Sequence, residues 1–142
     1  MKTLKKQLGE LKKLKFNSYG KDFLLTWEKS EDELRAVVAL AELFSEMHKA
    51  GKSFRTFDTG LAISIFRDNS TRTRFSFASA ANSLGLGLAD LDEEKSQIAH
   101  GETVRETANM ISFMAEVVGI RDDMYLGEGN RYMREVSAAV QE

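Results

Sequence analysis

Residues 61–85 read LAISIFRDNSTRTRFSFASAANSLG. The first six, LAISIF, form a short apolar and partly β-branched run, most simply a buried strand. Arg67, Asp68 and Asn69 turn the chain, and Ser70 is a natural N-cap for a helix starting at Thr71. Residues 71 to 84 have helical character, and Gly85 is a good terminator. Strand, turn and helix are therefore predicted in that order. Within the stretch, FRDNSTRTRFSF (66–77) gathers three arginines and four hydroxyls directly behind the apolar run.

That cluster has a physical reading. The first amides of the helix, from Thr71 through about Arg74, have no carbonyl partner within the helix and carry the positive end of its dipole. An oxyanion placed there meets backbone donors, hydroxyl donors and an arginine fork together. A helix turns about 100° per residue, so Arg72 and Arg74 point roughly 200° apart and do not readily clasp one anion. Arg72 is assigned to the ligand and Arg74 to a structural ion pair; Arg67, in the turn, suits either purpose. The competing reading is an exposed polar helix start with surface arginines. Composition alone does not separate the two, but placement behind a buried strand favours a site.

The rest of the chain continues the alternation. MKTLKKQLGELKKLKF opens the sequence as an amphipathic helix with Leu4, Leu8, Leu11 and, less regularly, Leu14 on one face. It reads as a packing helix or a solvated tail. Ser30 and Glu33 form an S-x-x-E capping box ahead of Leu34, Val37, Val38, Ala41 and Phe44 at helical spacing, and Gly51 stops that helix. His48, near its end, faces free carbonyls. A second short strand is predicted at LADL (88–91), a helical repeat from Glu102 through Val104, Ala108, Ile111 and Ala115, and a third strand at EVVGI (116–120). A final helix begins near Asn130. Strands alternating with helices imply an α/β domain with a parallel, doubly wound sheet, whose ligands bind beyond the carboxyl ends of the strands.

Composition bounds the chemistry. The 142 residues suit one globular domain, and 42% hydrophobic residues suffice for a core. The formal charge of -2 gives no global basic field, so neither nucleic acid nor an anionic membrane is an expected partner and any anion site is local. The absence of cysteine excludes disulfides, thiolate catalysis and cysteine-ligated metals, and fits a reducing cytoplasm. Two histidines are too few for an all-histidine zinc site. No apolar stretch approaches the roughly 20 residues of a membrane-spanning helix. A soluble, cytoplasmic protein without metal or cofactor is expected. Proline is absent and the sequence stops inside a helical pattern, EVSAAVQE, which suggests one piece of a longer polypeptide.

STRTR followed by FSF and LG, with GETVRET roughly thirty residues later, closely resembles the aspartate and ornithine carbamoyltransferase family. The likeness runs through KDFLLTWEKSEDEL, the STRTR segment and KSQIAHGETVRETANMIS, nearly the whole chain. It implies the carbamoyl-phosphate domain, the first half of a two-domain enzyme: three layers, a mainly parallel sheet and helices on both faces. Ser70, Thr71, Arg72 and Thr73 would hold the phosphate of carbamoyl phosphate. Thr73 and Arg121 would polarise the carbamoyl oxygen, and Gln97 would arrive from a neighbouring subunit of a homotrimer. Arg72 and Arg121 are the expected catalytic groups, and the chemistry needs no metal. The family's HPxQ and HCLP motifs, and the second domain that binds the amino-acid acceptor, do not occur in these 142 residues, so this chain is expected not to turn over by itself. Asn69, Ala78, His100, Glu106 and the DDMYLGEG after Arg121 depart from the family's usual residues, and the acceptor stays open. A non-catalytic anion-binding module derived from the family is the alternative.

Other motifs carry less. GLGLAD (85–90) is a broken dinucleotide fingerprint that follows a helix instead of a strand. Asn69-Ser70-Thr71 matches a glycosylation sequon by accident, and the H-x-E at His100 lacks the cysteines of a zinc deaminase. DLDEE (90–94) reads as a solvated loop face.

Overall fold

A computed structural model describes residues 2–67, 70–92, 101–123 and 125–140. The chain divides into two compact units, Met1–Phe54 and Arg55–Glu142.

The first unit holds α1 (Lys2–Leu11), a 3-10 turn (Thr26–Glu28) and α2 (Glu31–Lys49). Leu14 falls beyond α1 but still lines the groove between α1 and α2 with Leu34 and Val38. The capping box forms as expected: the Glu33 amide donates to Ser30 Oγ at 3.2 Å and the Ser30 amide to Glu33 Oε2 at 2.9 Å. The bond from the Ser30 amide foremost, then one from the Ser30 hydroxyl to Glu33 Oε2 at 2.9 Å, hold the Glu33 carboxyl below its ordinary range. His48 and Lys49 occupy the last turn of α2, and Gly51 ends it at φ +63°.

The second unit is built on β1 (Leu61–Phe66), α3 (Thr71–Leu84), β2 (Gly87–Asp90), α4 (Val104–Ser112), β3 (Val117–Arg121) and α5 (Gly129–Val140). Its three strands are parallel in the order β2-β1-β3. β1 is central, and burial on both faces explains why it reads as one apolar run. Alternation sorts its side chains. Ala62 joins Ala81 and Leu86, with Phe57 and Phe77, in a core under α3. Ile63 and Ile65 join Ala108, Ile111, Tyr132, Val136 and Ala139 in a second core under α4 and α5. Helices thus cover both faces of the sheet, as the alternation of elements implied.

Two glycines are dictated by close approach. Gly119 pairs with Ser64 in the register, and a Cβ there would stand 2.5 Å from the Phe77 ring, which packs edge-on to Phe66. Gly85 ends α3 at φ +101°, where a Cβ would also stand 2.0 Å from the Phe57 carbonyl oxygen. A side chain at Gly85 meets backbone, so that position admits no substitute without moving the chain.

Boundaries differ from the sequence reading by a residue or two. α4 starts at Val104 because Thr103 caps it and Glu106 completes a second capping box, which gives the departure at Glu106 a local structural role. α4 ends at Ser112, before Ala115, yet the Ala115 amide still donates to the Ile111 carbonyl at 3.1 Å. β3 runs one residue further than EVVGI, and that residue is Arg121.

Candidate functional site

From β1 the chain goes first to β2 on one side, then returns as β3 on the other. The carboxyl ends of β1 and β3 are therefore the switch point of the sheet, where a ligand crevice opens in doubly wound folds. Three segments meet there: Arg67 after β1, the first turn of α3, and the end of β3.

The α3 mouth is set by Ser70, whose Oγ accepts from the Thr73 amide at 3.4 Å. The first intrahelical bond runs from the Arg74 amide to the Ser70 carbonyl at 3.2 Å. The amides of Thr71 and Arg72 lie ahead of it and have no intrahelical acceptor. Above them Ser70 Oγ and Thr73 Oγ1 stand 2.9 Å apart. One hydroxyl hydrogen serves the bond between them, which leaves the other to point at a ligand.

Strand parity supplies the next group. Arg121 pairs with Phe66 in the register, so it projects on the α3 face, and its Nη1 donates to Thr73 Oγ1 at 2.9 Å across 48 residues of sequence. Its Nη2 donates to Asp123 Oδ2 at 2.6 Å. Asp122 points the opposite way, and its buried carboxylate accepts from Arg67 Nη1 at 2.7 Å while the Arg67 guanidinium lies over the Tyr132 ring. Arg67 therefore serves the fold of the α5 face. Arg74 is ion-paired to Asp90 and donates to the Phe66 carbonyl at 2.7 Å, the structural role that its direction on the helix predicted.

Charge at the crevice is found by subtraction. Arg67, Arg74 and Arg121 are each matched by an aspartate, whereas Arg72 is exposed and has no ion pair among the described residues. At the positive end of this helix stand two amides without an intrahelical acceptor, a hydroxyl hydrogen, and Arg72, whose guanidinium has no ion pair among the described residues. Donors of these kinds at a helix start suit an anion.

Of the expected residues, Ser70, Thr73 and Arg121 are in direct contact, and Thr71 and Arg72 stand in the same first turn of α3. Gln97, Asn69 and His100 lie outside the described residues. One expectation is corrected: Asp90 does not belong to a solvated loop run, because it ends β2, accepts from Ser64 Oγ and pairs with Arg74. The sequence reading assigns no role to Asp122 or Asp123; the alternation of side chains along β3, extended three residues past Ile120, is the signal that separates them. Among the described residues no group of three or more histidines, aspartates or glutamates could hold a metal ion, and no helix is long and apolar enough to cross a membrane.

Fold and site together define an α/β domain with a hydroxyl-rich helix start at the switch point of a parallel sheet. The chain belongs to the aspartate/ornithine carbamoyltransferase family: the model of that family's carbamoyl-P binding domain matches residues 21–140. It is 59% identical over 140 residues to "Putative carbamoyltransferase YgeW" of Escherichia coli strain K12, covering 99% of this chain and 35% of that protein. It is 33% identical over 105 residues to the catabolic ornithine carbamoyltransferase of Treponema denticola, covering 74% of this chain and 31% of that protein. The chain thus spans about a third of the length of the relatives it matches. The ornithine carbamoyltransferase of Pyrococcus furiosus superimposes with a TM-score of 0.77 at 25% identity, over 88% of this chain and 38% of that one. An aspartate transcarbamoylase of Trypanosoma cruzi, solved with carbamoyl phosphate, shares the fold with a TM-score of 0.74 at 23% identity, over 87% of this chain and 37% of that one.

Proposed function

We propose that residues 1–142 form a carbamoyl-phosphate-binding domain of a carbamoyltransferase and that the α3 crevice holds the donor. In this reading the amides of Thr71 and Arg72, the Arg72 guanidinium and the hydroxyls of Ser70 and Thr73 grip the phosphate. Arg121, already bonded to Thr73, donates to the carbamoyl oxygen with it. The single observation that carries the reading is the 2.9 Å bond from Arg121 Nη1 to Thr73 Oγ1, which joins the ends of β3 and α3 over one crevice.

The chemistry asks little beyond placed donors. A neutral amine attacks the carbamoyl carbon, negative charge builds on the carbamoyl oxygen, the bond from carbon to the bridging phosphate oxygen breaks, and phosphate leaves while the amine surrenders a proton. Fixed donors suit both developing charges, and removal of one such donor typically costs about 10²- to 10³-fold in rate. Arg72 and Arg121 are the catalytic groups in this proposal. The amine of an amino acid or related compound would be held by the part of the relatives' length that this chain does not span. Gln97 would complete the site from a neighbouring copy in a homotrimer of the longer protein, acting in the cytoplasm.

Calorimetry of the 142-residue chain with carbamoyl phosphate and with inorganic phosphate tests the reading. Preference for carbamoyl phosphate is expected, with tighter binding if light scattering shows the chain self-associating, since only then can Gln97 of a second copy contribute. Equal weak binding of both anions would mean a generic anion crevice and would defeat the proposal.

A further inference from the structure

A buried hydroxyl, a carboxylate and a guanidinium run in series beneath the first turn of α3. Ser64, in the middle of β1, is 3% exposed and stands opposite Asp90 in the parallel register. Its Oγ donates to Asp90 Oδ1 at 2.5 Å. Asp90 Oδ2 accepts from Arg74 Nη1, and Arg74 Nη2 donates to the carbonyl of Phe66, the last residue of β1. The Leu91 amide, just past β2, donates to the Ser64 carbonyl at 2.8 Å and closes the arrangement from the backbone side. The first turn of α3 is therefore tied to the ends of two strands by one continuous set of hydrogen bonds.

A hydroxyl inside an otherwise apolar strand is unfavourable unless it is bonded, and an alkyl group would fill the same space more favourably. Its bond to Asp90 gives Ser64 a use. Asp90 in turn would oppose an anion bound nearby, and Arg74 cancels that charge at the same time as it anchors the helix. What the series adds to the crevice is position without net charge. Arg74 directly follows Thr73, so its anchor fixes the turn that carries the Thr73 hydroxyl and the Arg72 side chain.

We propose that Asp90, oriented by Ser64, is a positioning residue of the anion crevice, acting through Arg74 to hold the first turn of α3 in the geometry that binds phosphate. This rests on the reading of the α3 mouth as a phosphate site. A misplacement of about 1 Å in a preorganised site weakens it severely, so the effect is readable in affinity.

The experiment measures the dissociation constant of inorganic phosphate for the 142-residue chain at a temperature well below the melting midpoint of every variant. Ser64→Ala changes no charge and is expected to weaken phosphate binding several-fold; Asp90→Ala is expected to weaken it about tenfold. In the Asp90→Ala background the Ser64→Ala change should add nothing further, because Ser64 acts only through Asp90. A purely structural role would lower the melting midpoint and leave the affinity of the folded chain within about twofold. That result, or independent effects of the two changes on affinity, overturns the proposal while leaving the phosphate site intact. Failure of the unsubstituted chain to bind phosphate overturns both. Should Asp90→Ala not fold, Ser64→Ala alone decides: unchanged phosphate affinity counts against the proposal and weakened affinity for it.

Discussion

Among the described residues three helices begin with a hydroxyl N-cap, and two of them close what the third leaves open. α2 has Ser30 with Glu33 at the third position, and α4 has Thr103 with Glu106; in both, the carboxylate folds back onto the cap amide at 2.9 and 2.8 Å. α3 has Ser70 with Thr73 in that place, and no acidic residue in its first turn. A capping box satisfies the N-cap and third-position amides and brings its own negative charge to the dipole. Where the third residue is threonine, Ser70 Oγ still accepts from the Thr73 amide, but the first turn supplies no carboxylate to the cap amide or to the dipole. The difference between S-x-x-E and S-x-x-T therefore separates helix starts that carry their own carboxylate from one that leaves the place to the anion of the proposed function.

The most damaging way to break the contrast is to close the third mouth. Thr73→Glu supplies the missing carboxylate to the α3 amides and to Arg121. Phosphate affinity should fall by more than about a hundredfold, since the anion now competes with a tethered one and loses the hydroxyl. The melting midpoint without ligand should hold or rise. Retained phosphate binding, read by calorimetry, would show that the anion goes elsewhere. Arg72→Ala comes next. Loss of one charged hydrogen-bonding partner is worth about 1.5 to 3 kcal/mol, roughly ten- to a hundredfold in phosphate affinity. Because Arg72 is exposed and has no ion pair among the described residues, the midpoint without phosphate should not move. A fall in that midpoint would assign Arg72 to the fold.

Smaller effects sharpen the comparison. Ser30→Ala and Ser70→Ala each remove an N-cap, at a cost of about 1 kcal/mol and a few degrees of melting midpoint. Only the second should also weaken phosphate binding, because only Ser70 stands at an open mouth. Equal indifference of phosphate to both changes would remove Ser70 from the crevice.

The α3 site was legible in sequence to the degree that it is local. A strand, a turn, a cap and a hydroxyl-rich first turn succeed one another within fourteen residues, from Leu61 to Arg74, and their periodicities switch in plain view. The opposite directions of Arg72 and Arg74 came from helical geometry, and Arg74 is indeed ion-paired. What sequence reading did not supply was anything fixed by the sheet. The partner of Arg74 is Asp90, whose place beside Ser64 depends on a parallel register that no local pattern states. The division of labour between Asp122 and Asp123 depends on which face of β3 each residue takes, and hence on strand β3 ending at Arg121 and not at Ile120. The need for glycine at 119 comes from the Phe77 ring of α3, which no local pattern in β3 states.

The faintest test of the comparison lies in acid. At Glu33 the bond from the Ser30 backbone amide, and at Glu106 that from the Thr103 backbone amide, hold the carboxyl below the ordinary value of 4.5. A carboxyl whose folded pKa is depressed stabilises the fold fully above its unfolded pKa, and that contribution disappears as pH falls through the folded value. Both boxes should therefore matter at pH 7 and fade below about pH 4.5. Glu106→Gln keeps a capping side chain but no charge, so its melting midpoint should lie slightly below that of the unsubstituted chain at neutral pH and converge with it under acid. α3 has no such carboxylate to protonate, so phosphate affinity at pH 7 should be the same with and without the Glu106→Gln change. A deficit that persists at pH 3 would mean Glu106 works by shape instead of charge, and the contrast between closed and open mouths would then rest on geometry alone.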